Sequence, residues 1–332
     1  MKMNSNKTSF DNSYRYGSLL AVFRLIIIQA LVVLVITSQV RAQDPVLPGT
    51  NLGLANVFDG VAGKPGFYYQ SFVQAFQTLA SYDEAGHKSP SSVKVNSLLE
   101  MNQFLYLSPL KVLGGNLGVT ILVPLLQINS ANKGGAAPTA NPGVFGDPLL
   151  GVAVQWSDRR LLGKSFSHRL ELDLNIPAGN FDSAYTINPS AHLWNYEMYY
   201  AFTIMLNKEM SVSNRNQLNY NAHIIGSQAK PGAFYNGNYS IDYSIVPAFK
   251  VEVVAYFLTQ FVQDSYGGDY HYYQDRFGIY DTKERVFGCG PGVAFFSTRG
   301  IVVEGKVFFE TAAKNRFAGT RPTLRIAVPL SK

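Results

Sequence analysis

The chain has 332 residues, of which 47% are apolar, 13% aromatic and only 15% charged. So few charges are unusual for a water-soluble protein of this length, and they indicate that part of the surface faces something other than water. The 29 Gly, 16 Pro, 20 Tyr and 22 Phe favour many strands joined by turns and argue against a helical bundle. The single cysteine, Cys289, excludes an intrachain disulfide.

The first 42 residues are predicted to be an export signal. Four basic residues within Met1–Arg24 precede an uncharged apolar run, Leu25–Val40. That run is shorter than the ~20 residues of a membrane-spanning helix, although a transmembrane anchor is the alternative interpretation. Val40-Arg41-Ala42 fits a signal peptidase site, so cleavage after Ala42 makes Gln43 the first mature residue.

The export signal carries most of the net basic charge. Residues 1–42 contain five of the 28 Lys and Arg residues and one of the 22 Asp and Glu residues, which leaves 23 basic and 21 acidic residues. A mature net charge of +2 gives no electrostatic reason to expect nucleic acid as a partner. After Ala42, no apolar run is long enough for a membrane-spanning helix.

The mature chain contains repeated stretches with period-two alternation, which predict β-strands. The clearest is Arg169–Ile176, where leucine and isoleucine alternate with charged and amide side chains. Asn51–Ala62 and the long ninth connection are the places where extra strands could raise the count to fourteen. Twelve strands are predicted, centred on residues 67–78, 93–107, 117–126, 148–157, 166–176, 194–205, 210–224, 237–246, 250–262, 285–296, 301–311 and 321–330.

The connections between these strands alternate in length. The odd-numbered connections are long or rich in turn residues, whereas the even-numbered ones tend to be tighter. This alternation is typical of an antiparallel barrel in the bacterial outer membrane with both termini in the periplasm and long loops outside. We therefore predict an all-β, closed antiparallel transmembrane β-barrel over residues 66–332, preceded by a short periplasmic segment or partial plug over residues 43–65. A soluble sandwich or barrel with an apolar interior is the alternative.

Charged and amide side chains in mid-strand are expected to point into the lumen, because Arg or Lys facing lipid at the midplane costs about 2–4 kcal/mol. The alternative is that opposite charges pair and fill the barrel, since twelve strands enclose only a modest interior. The lumen-lining candidates are Arg169, Glu171, Asp173, Glu197, Asn219, Asn221, His223, Asp242, Glu252, Glu304, Lys306 and Arg325.

No motif in the sequence predicts catalysis, a metal site or a cofactor. The five His residues and Cys289 lie at no metal-ligand spacing, and G-x-S-x-G does not occur. The glycine-rich stretches lack the following helix and Lys-Ser/Thr that hold a phosphate. An enzyme whose site converges from distant strands stays open as an alternative.

Several turns and aromatic strands occur in an order known from one family. Pro65-Gly66 precedes an aromatic first strand, and Asp83 with Gly86 forms the turn after it. These features resemble the "MetA-pathway of phenol degradation" family of outer-membrane proteins. The chain departs from the family's L-P-x-G loop at Ile176–Gly179, and it ends in LRIAVPLSK without the final aromatic residue of many barrels. The other matching segments are Phe145–Trp156, Asn175–Asp182 and Leu193–Ile204.

The resemblance implies an outer-membrane protein associated with the breakdown of aromatic compounds that passes hydrophobic solutes. We therefore predict an outer-membrane channel for passive uptake of small solutes, with aromatic or hydrophobic molecules as the expected class. Its expected partners are membrane lipid and these solutes, and no sequence feature specifies an oligomeric state. The alternative functions are an outer-membrane enzyme and a structural or adhesive barrel without transport.

Overall fold

A computed structural model describes residues 46–330, in which twelve antiparallel strands form one closed barrel. Each strand pairs with its neighbours along the chain, and the last pairs with the first. The prediction of a closed twelve-stranded barrel is confirmed. The export signal and its cleavage between Ala42 and Gln43 lie outside the described residues. The strands are β1 Gly66–Ser81, β2 Val93–Val112, β3 Gly115–Asn132, β4 Leu149–Leu161, β5 Lys164–Asn175, β6 Asn195–Met205, β7 Met210–Asn221, β8 Phe234–Val246, β9 Phe249–Gln260, β10 Arg285–Phe296, β11 Val302–Lys314 and β12 Phe317–Pro329.

The two segments that could have given fourteen strands add none to the barrel. Residues 51–62 form no strand. The ninth connection contributes a two-residue strand, Ser265–Tyr266, which pairs with Ala229–Lys230 in a separate small sheet. It also contains the six-residue helix α1, Tyr272–Phe277, which ends at Gly278 in the left-handed conformation (φ 67°). Residues 46–330 include no helix with the length and apolar character needed to cross a membrane.

The connections sort into a long-loop end and a short-turn end. Five of the odd-numbered connections are long: residues 82–92, 133–148, 176–194, 222–233 and 261–284. The eleventh, expected with them, is only residues 315–316, because β11 and β12 continue almost to each other.

Three connections at the opposite, short-turn end have only two residues: 113–114, 162–163 and 247–248. Both residues of Leu113-Gly114 and of Leu162-Gly163 have positive φ. That conformation matches the twist of the flanking strands, so these connections are shorter than the sequence suggested.

The two faces of each strand differ in what they meet. On β5, Leu170 and Leu172 point outward and are 39% and 58% exposed, whereas Glu171 and Asp173, which alternate with them, are 2% and 8% exposed. Leu172 lies beside Met198 of β6 in the same outer row. Exposed apolar side chains on β6 to β10 continue this belt around the barrel. A belt of this kind on a closed barrel is the surface that lipid requires.

Residues 46–65, here called the N-terminal segment, pass through the barrel, and most of residues 52–60 are buried. Thr50 Oγ1 donates to Asn236 Oδ1 (2.9 Å), near the start of β8 at the long-loop end. The Gly60 N–H donates to Thr203 Oγ1 (3.1 Å), near the end of β6 at the short-turn end. The segment therefore runs through the lumen before Gly66 begins β1. The division of the chain into an export signal, residues 43–65 and a barrel stays a prediction.

Candidate functional site: the barrel lumen

Inward side chains of neighbouring strands meet in rows, because pairing places them side by side. One row contains Gly151, Asp173, Glu197 and Asn219 on β4 to β7. The lumen is therefore built from residues far apart in the sequence, and its chemistry depends on how the rows and the N-terminal segment meet.

An aspartate of the N-terminal segment binds two wall arginines. Asp59 accepts hydrogen bonds from Arg215 at 2.7 and 2.9 Å and from Arg169 Nη2 at 3.3 Å. Arg169 also pairs with Glu171 at 3.0 Å. The Arg215 guanidinium lies 4.0 Å from the centre of the Tyr199 ring, whose hydroxyl donates to Glu171. These contacts attach the segment to β5 and β7, and Tyr199 of β6 contacts Glu171 and Arg215 on those two strands.

A second group of charges holds the segment from the opposite side of the lumen. Lys306 Nζ donates to Asn56 Oδ1 (2.8 Å) and pairs with Glu304. Arg325 pairs with Glu304 at 3.2 Å and donates to Gln70 Oε1 at 2.9 Å. Glu304 is completely buried, so these charges are enclosed within the barrel.

The structure places eleven of the twelve lumen candidates on the inner face of their strands. Asp242 and Lys250 pair at 2.5 Å, and Glu252 is buried beside Asp242 in the neighbouring position. The role of these residues in lining a channel stays a prediction. The eleven are Arg169, Glu171, Asp173, Glu197, Asn219, Asn221, Asp242, Glu252, Glu304, Lys306 and Arg325.

His223 does not lie with the other candidates. The predicted strand continued to Ile224, but β7 ends at Asn221, and His223 is exposed in the following loop. In this loop the backbone hydrogen bonds no longer join barrel strands, and the Ile224 N–H donates to the Ala229 carbonyl. The period-two pattern in the sequence therefore runs beyond the strand that it predicts.

Other lumen residues were missed by sequence reasoning. Arg215 shares its strand phase with Gln217 and Asn219, so the same alternation contained the signal that places it in the lumen. Asp59 lies in no strand, and no periodic pattern marks it. Its partners Arg169 and Arg215 are 110 and 156 residues away along the chain.

The lumen contains a cavity of about 370 Å³ beside the N-terminal segment. One wall is an apolar sector on the inner faces of β2 and β3. Outward Leu98 and Ile121 are apolar too, and the outward phase of β2 also contains Glu100, so the sequence carried no correct sign of which phase faced inward. The apolar sector consists of Leu99, Met101, Leu105, Leu122, Pro124 and Leu126.

Another part of the cavity wall, separated from the apolar sector by β4, is an acidic sector on β5 and β6, formed by Glu171, Asp173 and Glu197. Glu197 accepts hydrogen bonds from the amides of Asn175 and Gln217, each at 2.6 Å. Asp173 Oδ1 is buried and has no hydrogen-bond partner among the described residues. Within residues 46–330, no group of three or more His, Cys, Asp or Glu is arranged to hold a metal ion.

Two acids at the long-loop end have opposite electrostatic environments. Burial raises the pKa of Glu284 above its usual value, although Arg316 at 3.1 Å opposes the shift. For Asp281, burial also acts to raise the pKa, but hydrogen bonds from Lys314 and from the Lys283 backbone outweigh it and lower the value below 3.8.

Comparison with known proteins adds a family and a fold. The family model described as MetA-pathway of phenol degradation matches residues 80–326. An outer membrane channel from Pseudomonas putida F1 is 15% identical, with a TM-score of 0.67 over 85% of this chain and 99% of that chain. The KdgM porin is 11% identical, with a TM-score of 0.40 over 79% of this chain and 99% of that chain. A search among curated proteins found no match. The barrel fold and its apolar belt are those of a bacterial outer-membrane protein.

Proposed function

The chain belongs to the MetA-pathway of phenol degradation family, and from that premise we propose that it is a passive outer-membrane channel for small solutes with apolar or aromatic surface. Its partners are then the lipid around the barrel and the solutes inside it. The long loops face outward and the short turns face the periplasm. Solutes move down their own gradients, so neither a cofactor nor coupling to an energy source is needed.

The apolar sector is the observation that carries this proposal. Inner walls of open outer-membrane barrels are usually polar, because water fills them. Here Met101, Leu122 and Leu126 line the lumen cavity from β2 and β3. Apolar surface inside a transmembrane barrel favours a solute that brings apolar surface of its own. The volume of about 370 Å³ suits a small molecule.

The N-terminal segment narrows the path. Leu54 and Ala55 are buried against Leu99 and Met101, so the segment forms part of the cavity wall. A solute that enters between the long loops meets this wall before it reaches the short-turn end. Solutes are therefore selected by size and by apolar contact between the long-loop end and this wall.

Liposome swelling with purified protein tests the proposal. The solutes are phenyl glucoside, glucose and maltose, because each crosses a lipid bilayer slowly without a channel. We expect phenyl glucoside to enter faster than glucose despite its larger size. Faster entry of glucose would contradict the apolar path, and no entry of any solute by correctly folded protein would favour a structural barrel.

A further inference from the structure

We propose that the lumen cavity binds small amphipathic ammonium ions, in which a primary amine is attached to an apolar body. The Asp173 carboxylate receives the amine, and the apolar sector receives the body. This inference rests on the proposed function, since it names the solute class for the same cavity.

The arginines that line the cavity already have acidic partners. Arg215 pairs with Asp59, and Arg169 pairs with Asp59 and Glu171. Among the described residues, no arginine at the cavity is left to neutralise another anion. The remaining pairs are Arg316 with Glu284, Arg321 with Glu310 and Arg325 with Glu304.

Three carboxylates at the cavity lack a cationic partner among the described residues: Glu197, Asp173 and Asp147. Asp147 accepts hydrogen bonds from the backbone N–H groups of Gly179 and Ala191. Glu197 is bonded by neutral amides, and Asp173 Oδ1 has no partner within residues 46–330. The Asp173 side chain lines the cavity and is 8% exposed. A buried carboxylate without donors is unfavourable, whereas a cationic N–H donor supplies both a hydrogen bond and the missing charge.

Gly151 of β4 leaves the room that the Asp173 carboxylate occupies. The two residues are cross-strand partners, and a side chain at position 151 would collide with the carboxylate oxygens of Asp173 and Glu171. Thr120 lies on the other side of Gly151 in the same row. The row therefore places an acidic group beside the cavity without a bulky neighbour.

The spacing of the two walls fits an amphipathic ligand. The apolar sector ends on β3, where Leu122 lies one row from Thr120, and Asp173 lies on β5. Adjacent strands are about 4.8 Å apart, so β3 and β5 are separated by about 10 Å. An aromatic ring with a short aminoalkyl arm spans that distance. An anion of the same shape would place its carboxylate beside the carboxyl groups of Asp173 and Glu197, where the described residues supply no cationic partner.

Calorimetric titration of the detergent-solubilised full chain tests this site directly. Benzylammonium, benzyl alcohol and benzoate have similar size and differ in charge at neutral pH. We expect benzylammonium to bind at least about tenfold more tightly than the other two ligands, because one charge-assisted hydrogen bond contributes an affinity difference of that size. The Asp173→Asn variant should bring the ratio of ammonium to alcohol affinity close to one. The control is Glu209→Gln, in the exposed β6–β7 turn, which should keep the wild-type ratio.

The outcomes separate this inference from the proposed function. Equal affinities for the three ligands in the wild type would overturn the ammonium site, whether or not the variants fold. A preference that persists in folded Asp173→Asn would overturn the assignment to Asp173. Phenyl glucoside uptake without ammonium preference would leave the channel standing and this inference wrong. Ammonium preference without uptake of any solute would support the site and contradict the channel.

Discussion

The two sides of the lumen differ in what they contact. On the side of β6 to β8, wall side chains bond to the main chain of the N-terminal segment, as between the Gly53 N–H and Asn238 Oδ1 (2.7 Å). On the side of β2 and β3, the described residues of the segment make no hydrogen bond to the wall. There Leu54 packs against Leu99 and Met101.

The difference explains why the inner side chains that contact the segment on β4 and on β6 to β8 are polar. Each buried main-chain N–H and C=O needs a partner, and the segment brings many of them into the lumen. The Phe58 N–H donates to Ser213 Oγ at 3.1 Å, and the Gly60 carbonyl accepts from Gln155 Nε2 at 2.9 Å. The polar rows therefore hold the segment by hydrogen bonds, and the part of the apolar sector that Leu54 and Ala55 leave uncovered is available to contact solute.

The strongest test of this comparison removes the anchor of the segment. Asp59→Ala leaves Arg215 without its acidic partner, and losing one member of a buried pair costs about 3–5 kcal/mol. We expect the segment to detach more often, so that single-channel conductance rises and proteases cleave within residues 46–65 sooner. Glu209→Ala in an exposed turn is the control. Unchanged conductance and cleavage in Asp59→Ala would contradict the anchoring role.

A second substitution tests the outer face of β5, whose inner face carries Arg169, a partner of Asp59. Leu172→Arg places a charge in lipid and should reduce the free energy of unfolding by about 2–4 kcal/mol near the midplane. Heat-modifiable gel mobility and denaturant titration in vesicles measure this loss. Leu172→Ala keeps the position uncharged and should lose less. Equal stability of the two variants would mean that Leu172 does not face lipid.

A smaller effect is expected in the apolar sector. Met101→Gln removes apolar contact area and should reduce the uptake ratio of phenyl glucoside to glucose by about three- to fivefold. Liposome swelling measures both rates in the same preparation. An uptake ratio that stays at the wild-type value, while gel mobility shows normal folding, would mean that solutes do not contact the apolar sector at Met101.

The smallest effect is expected at the long-loop end. The folded-state pKa of Asp281 lies below 3.8, so its stabilising contribution is present above that value and is lost as the pH falls through the lower folded value. Because the pair with Lys314 is partly exposed, the loss is below about 1 kcal/mol. Amide exchange in residues 261–284, corrected for its intrinsic pH dependence, should accelerate over this range. Asp281→Asn should show no such change.

The strands could be predicted from the sequence because alternation is local. The eight residues Arg169–Ile176 carry their own pattern, and β5 follows it to Asn175. The N-terminal segment could not be placed, because Asp59 meets its partners only after the barrel closes. The apolar sector was equally hidden, because outward Leu98 is apolar too, and the charged Glu100 lies on the same outward face of β2.

The central claim is that solutes pass along the apolar sector and not along the polar rows. Two single-cysteine proteins in a Cys289→Ser background test it. One carries Met101→Cys in the apolar sector. The other carries Ser240→Cys in a polar row, where the native serine is 2% exposed. A charged, membrane-impermeant thiol reagent should modify Met101→Cys and block phenyl glucoside uptake, while Ser240→Cys stays unmodified with uptake intact. Modification and block at Ser240→Cys, with Met101→Cys unaffected, would contradict the account.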